Sequence, residues 1–213
     1  MNLPLIKKLK IGVLASGSGT NLQAIIDACI NNAIDAEVKI VISDVSTASA
    51  LERAKKAQVP TAYHKRSSYP TKQAYEQAII GDLKKHDVEL VCLAGYMRLV
   101  GKDFLDAFPH RVINIHPALL PSFPGLDAQE QALEYGVKIT GCTVHFVDEQ
   151  TDNGPIILQA AVSIIEDDTV ETLRQRILQE EHKIYPQAIQ LFAEGRLTIE
   201  GRRVRIKTNP KSQ

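Results

Sequence analysis

A chain of 213 residues with 44% apolar and 23% charged residues sits within the ordinary range of globular domains, which excludes disordered and fibrous classes. Lys plus Arg and Asp plus Glu balance at 25 each, so no global field draws the chain to nucleic acid or anionic lipid. At this length one packed core is expected rather than two independent domains.

Residues 1–10 contain Pro4 and too short an apolar stretch for a signal peptide, and no later run approaches the roughly 18 apolar residues of a membrane helix. Lys10–Ala15 is a short apolar run ending at Ser16-Gly17-Ser18-Gly19, and Asn21 opens a helical pattern through Leu22, Ile25 and Ile26, giving strand, glycine loop and helix. The unit repeats as Val38–Ser43 with Ala48–Gln58, then as Thr61–His64 with a helix from about Tyr69 to His86, where Pro70 suits a first-turn position. Leu90–Ala94 is a fourth buried strand, Lys102–Ala107 a short helix and Val112–His116 a fifth strand. Continuous Val, Ile and Leu runs alternating with helices indicate a parallel sheet covered on both faces, a doubly wound α/β fold.

Beyond His116 the pattern changes. A proline-rich loop from Pro117 to Gly125 leads to a helix near Gln129–Tyr135, and the strands Ile139–Val147 and Pro155–Ile164 are joined by the polar turn Asp148–Gly154 as a hairpin-like extension of the sheet. A long helix runs from about Thr169 to Glu194 and is stopped by Gly195, with Pro186 expected to kink it or split it in two. Leu197–Ile206 closes the chain as a small hairpin around Gly201. The basic groups Lys7, Lys8, Lys10 and Arg202, Arg203, Arg205, Lys207 lack interleaved aromatics and read as solvated termini. Cys29, Cys92 and Cys142 are odd in number and set in apolar surroundings, which fits buried free thiols in a reducing, cytoplasmic compartment.

Two places carry chemistry. Ser16–Asn21 lies where a strand feeds a helix, so its amides and the helix dipole could hold a phosphate. The loop lacks the Gly-Lys-Ser/Thr ending of a P-loop, and Leu22 stands where a dinucleotide fingerprint wants its third glycine. Asp44, ending the second strand, is placed where an acid could bind a ribose, which keeps a dinucleotide enzyme as an alternative. On the fifth strand, residues two apart face the same way, so Asn114 and His116 project together at the carboxyl end of a parallel strand while Ile113 and Ile115 point away. A metal site of His116, His145 and Asp152 has none of the short ligand spacings that would support it, and no metal is expected. The turn 148–154 holds three acids, among which composition does not choose.

Ile113-Asn114-Ile115-His116-Pro117-Ala118-Leu119-Leu120-Pro121, Gly125 after it and Asp152-Asn153-Gly154-Pro155-Ile156-Ile157 downstream resemble the formyltransferases that use 10-formyltetrahydrofolate. Ala15–Ile25 narrows the resemblance to the phosphoribosylglycinamide formyltransferase branch, and the likeness runs from about Lys10 to Leu197. It implies a single domain over 1–213 with a Rossmann-like, phosphate-binding N-terminal half, about 10–110, and a catalytic, folate-binding half, about 111–200. It implies Asn114, His116 and Asp152 as catalytic groups, with a protonated His116 kept charged by Asp152. Gly19, Thr20 and Asn21 would take the ribonucleotide phosphate and Glu181 its glycinamide part. The folate pterin would lie along Met97, Arg98, Leu99 and Val100, touching Asn114. Lys72 stands where the family commonly has a folate-binding arginine, keeping the charge without the bidentate fork. The implied partners are glycinamide ribonucleotide and 10-formyltetrahydrofolate, with no nucleic acid, membrane or metal, in a monomer or homodimer. A deformylase, with water in place of the amine, is the nearest rival.

Overall fold

Strands that alternate their apolar side chains between two faces need a helical layer on each, and this chain supplies both. The computed structural model describes residues 7–208, so Pro4 and its neighbours lie outside them. The strands are β1 (Leu9–Leu14), β2 (Ala36–Ser43), β3 (Thr61–Tyr63), β4 (Leu90–Leu93), β5 (Val112–His116), β6 (Ile139–Phe146), β7 (Ile156–Ser163), β8 (Leu197–Glu200) and β9 (Arg203–Ile206). The helices are α1 (Thr20–Ile30), α2 (Ser49–Lys56), α3 (Lys72–Lys85), α4 (Lys102–Ala107), α5 (Ala128–Tyr135) and α6 (Val170–Ala193). They build a sheet of order β3-β2-β1-β4-β5-β6-β7-β9-β8. The first five strands are parallel, β6 and β7 run antiparallel to their predecessors, and β9 pairs parallel with β7 through Ile156 and Arg203. This is the expected doubly wound, mostly parallel sheet with an antiparallel extension.

The face assignment follows side-chain parity. Ile113 and Ile115 join Ile11, Val13, Leu90 and Cys92 in a core closed by Leu22, Ile25, Leu51, Leu173 and Ile177. Leu14, Val91, Leu93 and Val112 face the other way, against Tyr75, Ile79, Leu83 and Phe104. Asn114 and His116 share the parity of Val112 and lie beyond it, where the strand runs out of apolar cover. Order reverses between β1 and β4, a topological switch point of the kind beside which α/β sheets bind ligands at their carboxyl ends.

Two local expectations are corrected. Helix α3 begins at Lys72, not near Tyr69, because the Thr71 hydroxyl accepts the Ala74 N–H at 3.0 Å and caps it. Pro70 therefore precedes the cap, and Arg66–Ser68 form a short 3-10 turn. Helix α6 is one element of 24 residues, so Pro186 does not split it. A missing N–H deprives the His182 carbonyl of a partner, but the flanking Tyr185, Ala188 and Ile189 are fully buried against the sheet and keep the helix continuous through the proline. Tyr185 also shares its hydroxyl proton between the Leu93 carbonyl at 3.0 Å and the Ile113 carbonyl at 3.2 Å, bolting α6 across β4 and β5. Tyr185→Phe leaves those buried carbonyls without that donor and is expected to lower the unfolding free energy by about 1–3 kcal/mol. A urea midpoint equal to that of the parent chain would refute this.

All three cysteines are free; Cys92 and Cys142 are buried as expected, whereas Cys29 is partly exposed. Burial still pushes the Cys29 thiol up to about 11 and Cys142 to about 12, so neither offers a thiolate at neutral pH. No helix among the described residues is long and apolar enough to cross a membrane.

Candidate active site

The loops after β1, β2 and β4 are tied together at this switch point by one buried carboxylate. Asp44, just after β2, accepts from the Ser16 hydroxyl at 2.6 Å and from Arg98 Nε at 2.6 Å. Ser16 in turn accepts the Met97 N–H at 2.9 Å and donates its own N–H to the Gly95 carbonyl at 3.0 Å. The acid suspected of binding a ribose thus spends both oxygens on cross-linking the glycine loop to the segment Met97–Val100. In that segment Val100 is buried, while Met97 and Leu99 each keep 65% of their surface exposed, an unusual apolar display beside the switch point. Lys72 lies 3.6 Å from Glu76, whose carboxylate also accepts the Gly101 N–H at 2.8 Å, so a half-exposed ammonium stands beside the end of the same segment.

Gly19 takes the position before α1 with φ 70°, a left-handed conformation that glycine adopts without penalty. A Cβ there would also lie 2.7 Å from Ala50 Cα, so α2 presses directly on the loop. No side chain caps α1, which leaves its first amides, from Thr20 and Asn21 onward, as a donor set for an anion. Arg53 fastens the loop from outside through the Ser18 carbonyl at 2.8 Å. The Asn21 side chain turns inward and donates to Glu181 Oε2 at 2.6 Å. Burial pushes the Glu181 carboxyl up, with Asn21 opposing, and Asn21 Oδ1 is buried without a partner.

The second half of the site is built on the β5–β6 pair. Register places His145 opposite Asn114 and Thr143 opposite His116. Asp152 arrives from the turn after β6 with φ 49°. Its Oδ2 lies 3.3 Å from His116 Nδ1 and accepts the Gly125 N–H at 2.8 Å, while its Oδ1 lies 3.4 Å from Asn114 Nδ2 and 3.7 Å from His145 Nε2. Asn114, His116 and Asp152 therefore converge. The other two acids of the turn do not: Asp148 accepts from the Gln150 N–H and the Asn153 amide, at 3.0 Å each, and Glu149 makes no contact with the triad among the described residues. No group of three or more His, Cys, Asp or Glu side chains among the described residues is arranged to hold a metal ion.

Protonation follows from partners. The Phe123 carbonyl can only accept, so the contact at 2.8 Å puts a proton on His116 Nε2. Burial pushes the His116 pKa below the ordinary histidine value; the Asp152 charge and the Phe123 carbonyl pull it upward and His145 adds to the lowering. The expectation of a His116 held charged by Asp152 is corrected on this point: the carboxylate acts in the expected direction, and burial outweighs it. Burial pushes Asp152 up, but His145, the Gly125 amide and the charge at His116 together bring its carboxyl below the usual value, so Asp152 is ionised at neutral pH. A titration of the ligand-free protein followed on the His116 ring by NMR is expected to have its midpoint below 6.5, moving lower still in Asp152→Asn, which removes the one charge that favours the imidazolium. A midpoint above 6.5 would contradict this account.

His145 is the residue that sequence reasoning undervalued. Its Nδ1 donates to the Phe146 carbonyl at 2.9 Å, and its Nε2 lies 3.3 Å from Asn114 Nδ2 and 3.7 Å from Asp152 Oδ1. A buried imidazole thus packs against both the Asn114 amide and the Asp152 carboxylate. Only the register, in which Thr-x-His on β6 faces Asn-x-His on β5, reveals it. Thr143 locks the next segment by donating to the Ala118 carbonyl at 2.7 Å and accepting the Leu120 N–H at 3.1 Å, and the Leu120–Pro121 bond that follows is cis.

The sequence profile described as Formyl transferase matches residues 9–189, a span containing every one of these groups. The chain belongs to the formyl transferase family. This formyl transferase is 49% identical over 180 residues to phosphoribosylglycinamide formyltransferase of Bacillus subtilis (strain 168), covering 84% of the chain and 92% of that protein. Among solved structures, glycinamide ribonucleotide transformylase 1 from Symbiobacterium toebii shares 59% identity with a TM-score of 0.94, covering 97% of this chain and 98% of that one. A formyltetrahydrofolate deformylase from Pseudomonas syringae pv. tomato has a TM-score of 0.87 at 25% identity, and the match covers 93% of this formyl transferase but 66% of that chain.

Proposed function

We propose that this formyl transferase moves the formyl group of 10-formyltetrahydrofolate onto the amine of glycinamide ribonucleotide, giving formylglycinamide ribonucleotide and tetrahydrofolate in purine biosynthesis. The observation that carries the reading is the convergence of Asn114, His116 and Asp152 at the same carboxyl-end edge of the parallel sheet as an uncapped helix N-terminus backed by Glu181. A phosphate on Gly19, Thr20 and Asn21 and a glycinamide contact to Glu181 would bring the amine toward β5. The pterin would lie against Met97, Arg98, Leu99 and Val100 and touch Asn114, with Lys72 facing the anionic end of the folate. Residues 7–208 would act as one formyltransferase domain, as a monomer or homodimer in the cytoplasm, a compartment that three free thiols favour.

The chemistry needs no covalent enzyme intermediate. The amine nitrogen bonds to the formyl carbon, and the carbonyl electron pair moves onto oxygen. Donors placed where that charge develops give the largest gain, and the Asn114 amide and the His116 Nε2–H fill this role once the Phe123 carbonyl releases the ring. Negative charge growing beside His116 favours its protonated form, and Asp152 then faces an imidazolium at Nδ1. The proton lost by the amine travels by way of Asp152 and water to N10 as the C–N10 bond breaks, a general acid–base task. His145 stays packed against Asn114 and Asp152 throughout.

The deciding experiment incubates the purified protein with 10-formyltetrahydrofolate in the presence and absence of glycinamide ribonucleotide. Folate turnover that requires the amine supports the reading. Folate turnover that proceeds at the same rate without it would make this chain a deformylase.

A further inference from the structure

Asp152 works from a left-handed backbone position, uncommon for L residues though better tolerated by Asp than by most, and its neighbours hold it there. One side of that enforcement lies within the turn, where the Asn153 amide donates to Asp148 at 3.0 Å and Gly154 sits so close to the Phe146 carbonyl that a Cβ would fall 1.7 Å from its oxygen. The other side comes from outside the turn. Arg202, between β8 and β9, donates through Nη2 to the Asn153 carbonyl at 2.8 Å and through Nη1 to Asn153 Oδ1 at 3.3 Å. Because β9 pairs with β7 at Ile156 and Arg203, the hairpin turn is delivered beside the strand that starts just after Asp152. The guanidinium fork suits this double contact, reaching one peptide oxygen and one side-chain oxygen of the same residue.

We propose that Arg202 is a positioning residue for catalysis: by holding the Asn153 peptide and side chain together, it keeps Asp152 aimed at His116. The tail hairpin, which lies beyond the 9–189 span shared with the family profile, is then part of the active-site machinery and not only a sheet edge. The two contacts occupy both oxygens of Asn153, and Asp148 holds its amide nitrogen, so the residue adjoining Asp152 has little freedom left. This inference rests on the reading of Asp152 as the group that acts with His116.

The test compares the full-length parent chain with Arg202→Ala, Arg202→Lys and Asp152→Asn, measuring kcat, both KM values, thermal unfolding and the NMR titration midpoint of His116. Arg202→Ala is expected to lower kcat by about tenfold, up to about 100-fold if Asp152 moves by as much as 1 Å. Both KM values should stay within about twofold, and the His116 midpoint should move toward its position in Asp152→Asn. Arg202→Lys, which restores one donor to the Asn153 carbonyl but not the fork, should recover part of the rate. A kcat and midpoint of Arg202→Ala equal to the parent, with Asp152→Asn slow, overturns the role of Arg202 alone. Slow turnover in Arg202→Ala with an unmoved midpoint also overturns it, since the effect would not pass through Asp152. Parental turnover in Asp152→Asn overturns the proposal together with the reading beneath it. Arg202 is exposed, so unfolding of the alanine variant is not expected; if it occurs, the lysine variant decides by the same two readouts.

Discussion

His116→Ala is expected to lower kcat for formyl transfer by about 100- to 1,000-fold, the usual cost of removing one donor from a developing oxyanion, about 2.7–4 kcal/mol of barrier. The expectation follows from where the ring is held. β5 ends at His116, the Phe123 carbonyl keeps a proton on Nε2 at 2.8 Å, and Asp152 stands 3.3 Å from Nδ1, ready to face the imidazolium that the reaction favours. Asp152→Asn keeps the shape and the space for the Gly125 N–H while removing the charge, and should also slow turnover by orders of magnitude. Since the loss lies in the transition state, kcat and kcat/KM should fall together while KM changes little. Circular dichroism and melting profiles guard against a folding defect. Turnover within about threefold of the parent in a folded His116→Ala protein would remove the residue from the mechanism.

Gly19→Ala is expected to raise KM for glycinamide ribonucleotide by roughly 10- to 100-fold while leaving KM for the folate and saturating kcat much less affected. A left-handed alanine costs about 1–2 kcal/mol, and here the methyl would also lie 2.7 Å from Ala50 Cα and 2.8 Å from Ala50 Cβ. Both are atoms of a packed helix that cannot rotate aside, so the loop must shift and take its amides off the phosphate. Hydrogen bonds to a charged group contribute about 1.5–3 kcal/mol each, and every 1.4 kcal/mol is tenfold in affinity. Gly17→Ala is the internal control, because a Cβ there meets nothing within 4 Å. Equal KM values for the Gly19→Ala protein and the parent would mean that the phosphate is bound elsewhere.

Much of this molecule could be read before any coordinate. The nine strands, the doubly wound class and the antiparallel extension follow from apolar runs and turn residues, because burial on two faces demands uninterrupted Val, Ile and Leu, whereas the strand order came only with the structure. Asn114 and His116 could be paired from strand parity alone. Asp152 could not be chosen by composition, since three acids share its turn; only its likeness to the formyltransferase motif singled it out, and folding brings it within 3.3 Å of His116. The two misjudged helix features were local signals overruled: Thr71 competed successfully with Pro70 for the start of α3, and buried neighbours carried α6 through Pro186. His145 stayed hidden because its meaning depends on which residue lies across the strand pair.

The sequence by itself determined the alternating layers, the glycine loop, the pairing of Asn114 with His116 on one face and the likeness to formyltransferases. Each of these depends on periods of two or 3.6 residues or on short contiguous motifs, which a chain carries in its own order. Only the tertiary structure decided that Asp44 cross-links two loops, that Asn21 is bonded to Glu181, that Asp152 lies 3.3 Å from His116, and that Arg202 grips Asn153. It also set the direction in which the His116 pKa moves, where burial opposes the carboxylate and prevails. These are contacts between residues 28 to 160 positions apart, and desolvation is a property of everything that surrounds a group, so neither is written in any local stretch of the chain.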